Sequence, residues 1–145
     1  MAKSTTAESV IEVGKTTVID YNNKDWDAAR TSMAPGYVYE EFATQRRVKG
    51  ADETLAVWRG WAAAFPDSKG EIHNAIHSGD TVVMEVTWTG THTGPLQTPK
   101  GTIPPTGKRI ELRACQVNTV TNGKLQATRH YFDLGSLLQQ LGVTG

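Results

Sequence analysis

Residues 127–142, ATRHYFDLGSLLQQLG, contain a change of period. Up to Phe132 the side chains alternate as on a strand. From Leu134 onward the leucines fall at 134, 137, 138 and 141, the spacing of a helix with one apolar face. A return strand that feeds a short C-terminal helix makes the second half of the chain a sheet and asks what covers it. The same stretch carries two polar groups. His130 is either a half-buried strand histidine or an acid–base group, since an imidazole titrates near neutrality. Asp133 is either a group reaching a site from the strand end or a cap that accepts N–H bonds at the start of the helix.

The sheet extends backward from this strand. Asn122-Gly123 in TNGK is a strong hairpin signal. Before it, RIELRACQVNTV places Ile110, Leu112 and Ala114 on one side and Arg109, Glu111 and Arg113 on the other. TVVMEVTWTGTH puts Val82, Met84, Val86 and Trp88 on one face, and SGD turns it back on EIHNAIH. YVYEEF (37–42) is a further strand. The remainder of the N-terminal half is helical. Val10, Ile11, Val18, Ile19 and Tyr21 mark one helix, and Asp25 is placed to cap a second, WDAARTSM, stopped by Pro35-Gly36. Residues 51–65 align Leu55, Trp58, Trp61 and Phe65 on one stripe. The pattern is α+β: N-terminal helices packed on a curved, mainly antiparallel sheet of about five strands, then a short C-terminal helix. Residues 1–7 are expected to form a disordered tail and 8–145 a single domain. The loop over 93–108, rich in proline and glycine, is expected to be a rim over the strand ends.

Composition excludes several function classes. Fifteen basic and fifteen acidic residues balance, so no nucleic-acid footprint is expected. One cysteine, Cys115, cannot form an intramolecular disulfide. No stretch is long and apolar enough to span a membrane or act as a leader, so no membrane partner is expected and the cytoplasm is the default location. His73 and His77 form HxxxH, but on a strand four residues span about 13 Å, too far for one ion. No metal site is expected.

Six motifs, AFPD (64–67), SGDTVV (78–83), GTHTGPL (90–96), PPTGK (104–108), NGKL (122–125) and D…LLQQLG (133–142), occur in an order and spacing that resemble the SnoaL-like polyketide cyclase family. That family lies within the NTF2-like, ketosteroid-isomerase-like superfamily, and the resemblance runs from about Val10 to Gly142. It implies a cone-shaped α+β barrel with a deep hydrophobic pocket and no cofactor. It also implies a homodimer formed through the outer face of the sheet, and a small polycyclic or aromatic keto ligand. Founding members close a ring by intramolecular aldol condensation. Other acid–base reactions on the fold (isomerisation, dehydration, hydrolysis) and non-catalytic hydrophobic ligand binding remain open.

The candidate site follows from that chemistry. An aldol closure needs a base, a donor for the enolate oxygen and apolar walls. His130 stands where the ring-forming members carry an acid–base aspartate, and it is the candidate base, with Asp133 beside it. Gln116 interrupts the apolar face of its strand and must find partners or meet a ligand. Tyr39 is a candidate donor, while Glu41, on the same strand face, is expected to be exposed. Trp58, Trp61, Phe65 and Trp88 would form the walls or simply the core. His92, in GTHTG, is a candidate ligand contact or a brace for a tight bend.

Overall fold

Helix α1 (Ala7–Asn23) turns Val10, Thr17, Val18 and Tyr21 inward, and these residues bury against a sheet. The computed structural model describes residues 7–143, so the expected N-terminal tail falls outside the described residues except for Ala7, which opens α1. Helix α2 (Trp26–Ser32) begins at Asp25, whose carboxylate accepts the Ala28 N–H at 3.1 Å. Strands β1 (Met33–Glu41) and β2 (Arg46–Lys49) precede helix α3 (Ala51–Ala64). There follow β3 (Lys69–Ser78), β4 (Thr81–Thr91), β5 (Leu96–Thr98), β6 (Gly101–Ile103), β7 (Arg109–Thr121), β8 (Lys124–Phe132) and helix α4 (Leu134–Gln140).

The main sheet has the order β2-β1-β8-β7-β4-β3. Its pairs are antiparallel except β1 with β8, which run parallel. Six strands replace the expected five because β2 carries only one apolar side chain, Val48, in four residues, too little alternation to announce a strand. The loop at 93–108 contains a small separate hairpin, β5 with β6. Pro35-Gly36 does not stop α2; that helix ends at Ser32, and the pair lies inside β1, where the register against β8 shifts between Met33 and Val38. A proline without an N–H and a glycine at φ 79° suit that irregularity.

Asn122 and Gly123, both with positive φ, make the β7–β8 turn. At Gly94 the constraint is contact: Thr93 and Gly94 both donate to Ala64 O at 3.1 Å, and a Cβ at 94 would lie 2.0 Å from Ala63 O. This docks the long loop against the end of α3. One core cluster joins α1, α3 and the sheet through Val18, Leu55, Trp58, Val82, Met84 and Leu125. A second joins Phe65, Leu96, Ile110 and Leu112 to Leu137 of α4 and to Leu141, its C-cap, closing one end of the cone. Among the described residues no helix is long and apolar enough to cross a membrane.

Candidate functional site

Register alone places one row of side chains across the inner face. Glu41 pairs with His130, His130 with Gln116, and Gln116 with Met84. Directly opposed residues on a sheet have Cβ atoms about 5 Å apart, so a carboxylate, an imidazole and an amide are neighbours by construction. Beside this row lies a cavity of about 70 Å³ between the sheet, α1 and α3. Its walls are Trp58, Trp61, Phe65, Trp88, Ile110, Leu112 and Phe132, and its polar groups are Thr17, Tyr21, Tyr39, Ser68, Thr89, Gln116 and His130. Seven of the candidate site residues therefore meet there: Tyr39, Trp58, Trp61, Phe65, Trp88, Gln116 and His130. The volume is less than half of the roughly 150 Å³ that a benzene-sized cavity offers. A polycyclic ligand requires the aromatic walls to move.

His130 is 7% exposed. Its Nδ1 lies 2.9 Å from Tyr39 Oη, and its Nε2 accepts from the Trp88 indole N–H at 3.3 Å, a long bond. Burial disfavours the imidazolium, and the nearby Glu41 carboxylate offsets this only in part. The pKa falls from 6.5 to about 4, so the ring is neutral at pH 7. Gln116 accepts from the Thr17 hydroxyl through Oε1 at 2.5 Å. Gln116 lines the cavity, and among the described residues no hydrogen bond from its Nε2 to a protein acceptor is seen. Tyr21 Oη and Ser68 Oγ are 2.5 Å apart, and burial pushes the Tyr21 phenol up to about 12, against a smaller opposing effect of the Ser68 bond.

Glu41 corrects the expectation of an exposed strand residue. It has no solvent exposure. Oε2 accepts from Tyr39 Oη at 2.7 Å and Trp61 Nε1 at 2.8 Å; Oε1 accepts from Thr44 Oγ1 at 2.5 Å and Arg46 Nη2 at 2.8 Å. Burial alone would raise its pKa, but the Arg46 charge and these hydrogen bonds together hold it below 4.5, as an ionised carboxylate. Arg46 is its cross-strand partner on β2. The sequence signal for this arrangement is Tyr37, Tyr39 and Glu41 alternating onto one face, with an arginine just past a turn.

Two candidates lie away from the cavity. Asp133 is exposed and makes no side-chain cap bond, although it sits at the N-cap of α4, where its carbonyl accepts the Leu137 N–H at 3.2 Å. Its side chain does not line the cavity, and the side-chain cap is not formed. His92 is fully buried outside the cavity lining. Its Nδ1 accepts the Thr106 N–H at 3.2 Å, and its backbone pairs with Gly107 and Lys108. It braces the base of the long loop against Phe65. His73 reaches Thr87 Oγ1 at 2.6 Å, and among the described residues no cluster of histidine, cysteine and acidic side chains could hold a metal ion.

The model of the SnoaL-like polyketide cyclase family matches residues 13–141. This chain belongs to that family. Several solved structures share the fold of this SnoaL-like protein. One from Jannaschia sp. CCS1, a SnoaL-like polyketide cyclase by assignment, is 20% identical, with 100% of this chain and 99% of that one covered and a TM-score of 0.85. IdmH of Streptomyces antibioticus, a polyketide cyclase by assignment, is 23% identical over 92% and 99% of the two chains, with a TM-score of 0.78. An LEH-like epoxide hydrolase of M. tuberculosis is 21% identical over 93% and 90%, with a TM-score of 0.71. At such identities the likeness shows the NTF2-like, ketosteroid-isomerase-like fold and not a shared reaction. Comparison with curated proteins returns no match.

Proposed function

We propose that this protein is a cofactor-independent acid–base enzyme that removes a proton from a carbon next to a carbonyl, with aldol ring closure as the leading reaction. The observation that carries the reading is the cross-strand pair His130–Gln116, which brings a basic nitrogen and an uncommitted amide donor to one apolar cavity. The substrate C–H replaces the Trp88 indole at His130 Nε2. The Gln116 amide N–H, and the released indole N–H, hold the oxygen on which charge develops. The proton moves to Nε2, the enolate carbon bonds to a second carbonyl of the same molecule, and the imidazolium returns the proton to the new alkoxide. Atoms balance without a co-reactant. A base with a pKa near 4 is adequate when donors stabilise the enolate: ketosteroid isomerase abstracts such a proton with an aspartate of pKa about 4.6.

The cavity volume favours small keto compounds over polycyclic ones as first probes. The test is deuterium exchange at the α-carbon of a small aromatic β-keto ester, followed by NMR. Wild-type protein exchanges it, and His130→Asn slows exchange by about 10²-fold or more. Exchange at the wild-type rate in a folded His130→Asn protein refutes the base assignment. A second reading, a non-catalytic hydrophobic binding protein, draws on the small aromatic-walled cavity and predicts binding of the ester without exchange. For the assembly, we propose the homodimer common in the family, through the outer sheet face where Phe42 stacks on Tyr131 and Ile76 is exposed. Light scattering reads its mass.

A further inference from the structure

We infer that Glu41, acting through Tyr39, is the positioning group that holds His130 with its basic nitrogen toward the cavity. The inference rests on the proposed role of His130, and it gives a part to Glu41, which the sequence suggested was an exposed strand residue.

The hydrogens in this network can be counted. An indole N–H only donates, so the Trp88 contact makes Nε2 of His130 an acceptor. A neutral imidazole has one ring hydrogen, which must then sit on Nδ1 and be donated to Tyr39 Oη. The phenol has a single hydrogen as well, and its remaining neighbour is Glu41 Oε2. An ionised carboxylate is an acceptor only, so the chain can end there. The reverse direction fails at both ends. A hydrogen on Nε2 would face the indole N–H donor to donor, and a phenol turned toward Nδ1 would set its lone pairs against the carboxylate. The network therefore admits one arrangement, and that arrangement selects the tautomer.

The carboxylate is itself held rigidly. Trp61 shares Oε2, while Thr44 and Arg46 occupy Oε1 on the far side from Tyr39. Trp61 is also a cavity wall, so the carboxylate ties the wall, the relay and the β2 edge together. When His130 gains a proton at Nε2, the new positive charge lies two hydrogen bonds from the Glu41 carboxylate. The strands fix that separation, because Glu41 and His130 are register partners on adjacent parallel strands. Tyr39 keeps its proton throughout; it transmits orientation and charge, and no bond to hydrogen has to break in the relay.

Nitrogen-15 NMR of the His130 ring tests this directly, alongside exchange of the β-keto ester. In wild type at neutral pH, Nδ1 is expected to be protonated and Nε2 bare. Tyr39→Phe leaves the bonds of Glu41 to Arg46, Thr44 and Trp61 in place, so the fold is kept. It is expected to lose the single tautomer and to slow exchange by about 10²-fold, with KM changed much less than kcat. Wild-type protein with its hydrogen on Nε2 overturns the relay without recourse to any variant. So does Tyr39→Phe with tautomer and exchange unaltered, while His130→Asn is inactive; the base assignment then survives alone. Full exchange in His130→Asn overturns both.

Discussion

Two buried polar chains cross the inner face of the sheet, two residues apart along β8, and they differ in how they end. In the first, Tyr37 donates to Thr128 at 2.6 Å, Thr128 to Asn118 at 2.6 Å, and Asn118 to the Gly14 carbonyl at 3.4 Å. It runs uncharged from β1 to the Gly14 carbonyl of α1, which also accepts from Thr17 Oγ1 at 3.1 Å, and Tyr37, Thr128, Asn118 and Gly14 do not line the cavity. The second holds an ion pair, passes through Tyr39 and reaches a histidine that lines open space. A buried polar residue on a sheet face is therefore no sign of a site by itself. Both chains satisfy their hydrogen bonds, as the low dielectric of the interior demands. What separates them is a charged root and a terminal group with room beside it.

The largest expected effect breaks the charged root. Glu41→Ala strips acceptors from Tyr39, Trp61 and Thr44 and leaves Arg46 without its carboxylate, and it is expected to destabilise the protein by about 3–5 kcal/mol in urea unfolding. A cost no larger than that of cutting the Tyr37 chain would erase the distinction.

Next comes acid. Unfolded, His130 takes a proton near its ordinary 6.5, but folded it stays neutral down to about 4. Between those values the unfolded chain binds more protons, so stability falls as pH falls through that window, by on the order of 3 kcal/mol in all. The Glu41 pKa is also shifted downward, so its effect has the same sign. Its contribution is present above 4.5 and is lost as pH drops through its lowered folded value, so it extends the loss to still lower pH. Burial also lowers the pKa of His92, against a smaller raising effect of a Gly94 backbone bond, which adds to the first window. His130→Gln should therefore flatten most, not all, of the change between pH 6.5 and 4; an unchanged slope would show that the imidazole is charged when folded.

The uncharged chain gives a smaller effect of a different kind. Thr128→Val keeps the shape but leaves the Tyr37 hydroxyl and Asn118 Oδ1 unpaired, for about 1–3 kcal/mol. Exchange of the keto ester should be unaffected, because no member of that chain faces the cavity. Slowed exchange would mean that the two chains act as one network.

Legibility in the sequence follows the amount of apolar pattern each feature carries. The long strands β3, β4, β7 and β8 and the stripe on α3 repeat their periods several times and are readable. Strand β2 shows its pattern once, and β5 and β6 have three residues each, too few for any period. Gln116 stands out because it breaks an apolar face, and the aromatic walls because they share a stripe. Glu41 leaves only a faint signal, its alternation with Tyr37 and Tyr39, because a carboxylate on a half-polar strand ordinarily faces water. The Trp61 indole 20 residues on and Arg46 across the turn, together with Tyr39 and Thr44, offset the cost of burying it.

The smallest expected effect concerns the residue where sequence pattern and structure part most plainly. Asp133 precedes a leucine-spaced helix, and an aspartate there ordinarily caps it with its side chain. Here Asp133 has N-cap backbone angles, φ −92° and ψ 106°, yet its carboxylate makes no cap bond. Helix α4 is held instead from its other end and its buried face. Gln140 Oε1 accepts the Glu111 N–H at 2.7 Å, its Nε2 donates to the Glu111 carbonyl at 3.0 Å, and Leu137 and Leu141 are buried against β7 and α3. Asp133→Ala should therefore change stability by no more than about 0.5 kcal/mol and leave exchange untouched. Gln140→Ala, which frees both backbone groups of Glu111, should cost more. A loss of about 1 kcal/mol or above for Asp133→Ala would show that the carboxylate does cap α4 in solution, and that the helix depends on its junction with β8 as well as on its leucines.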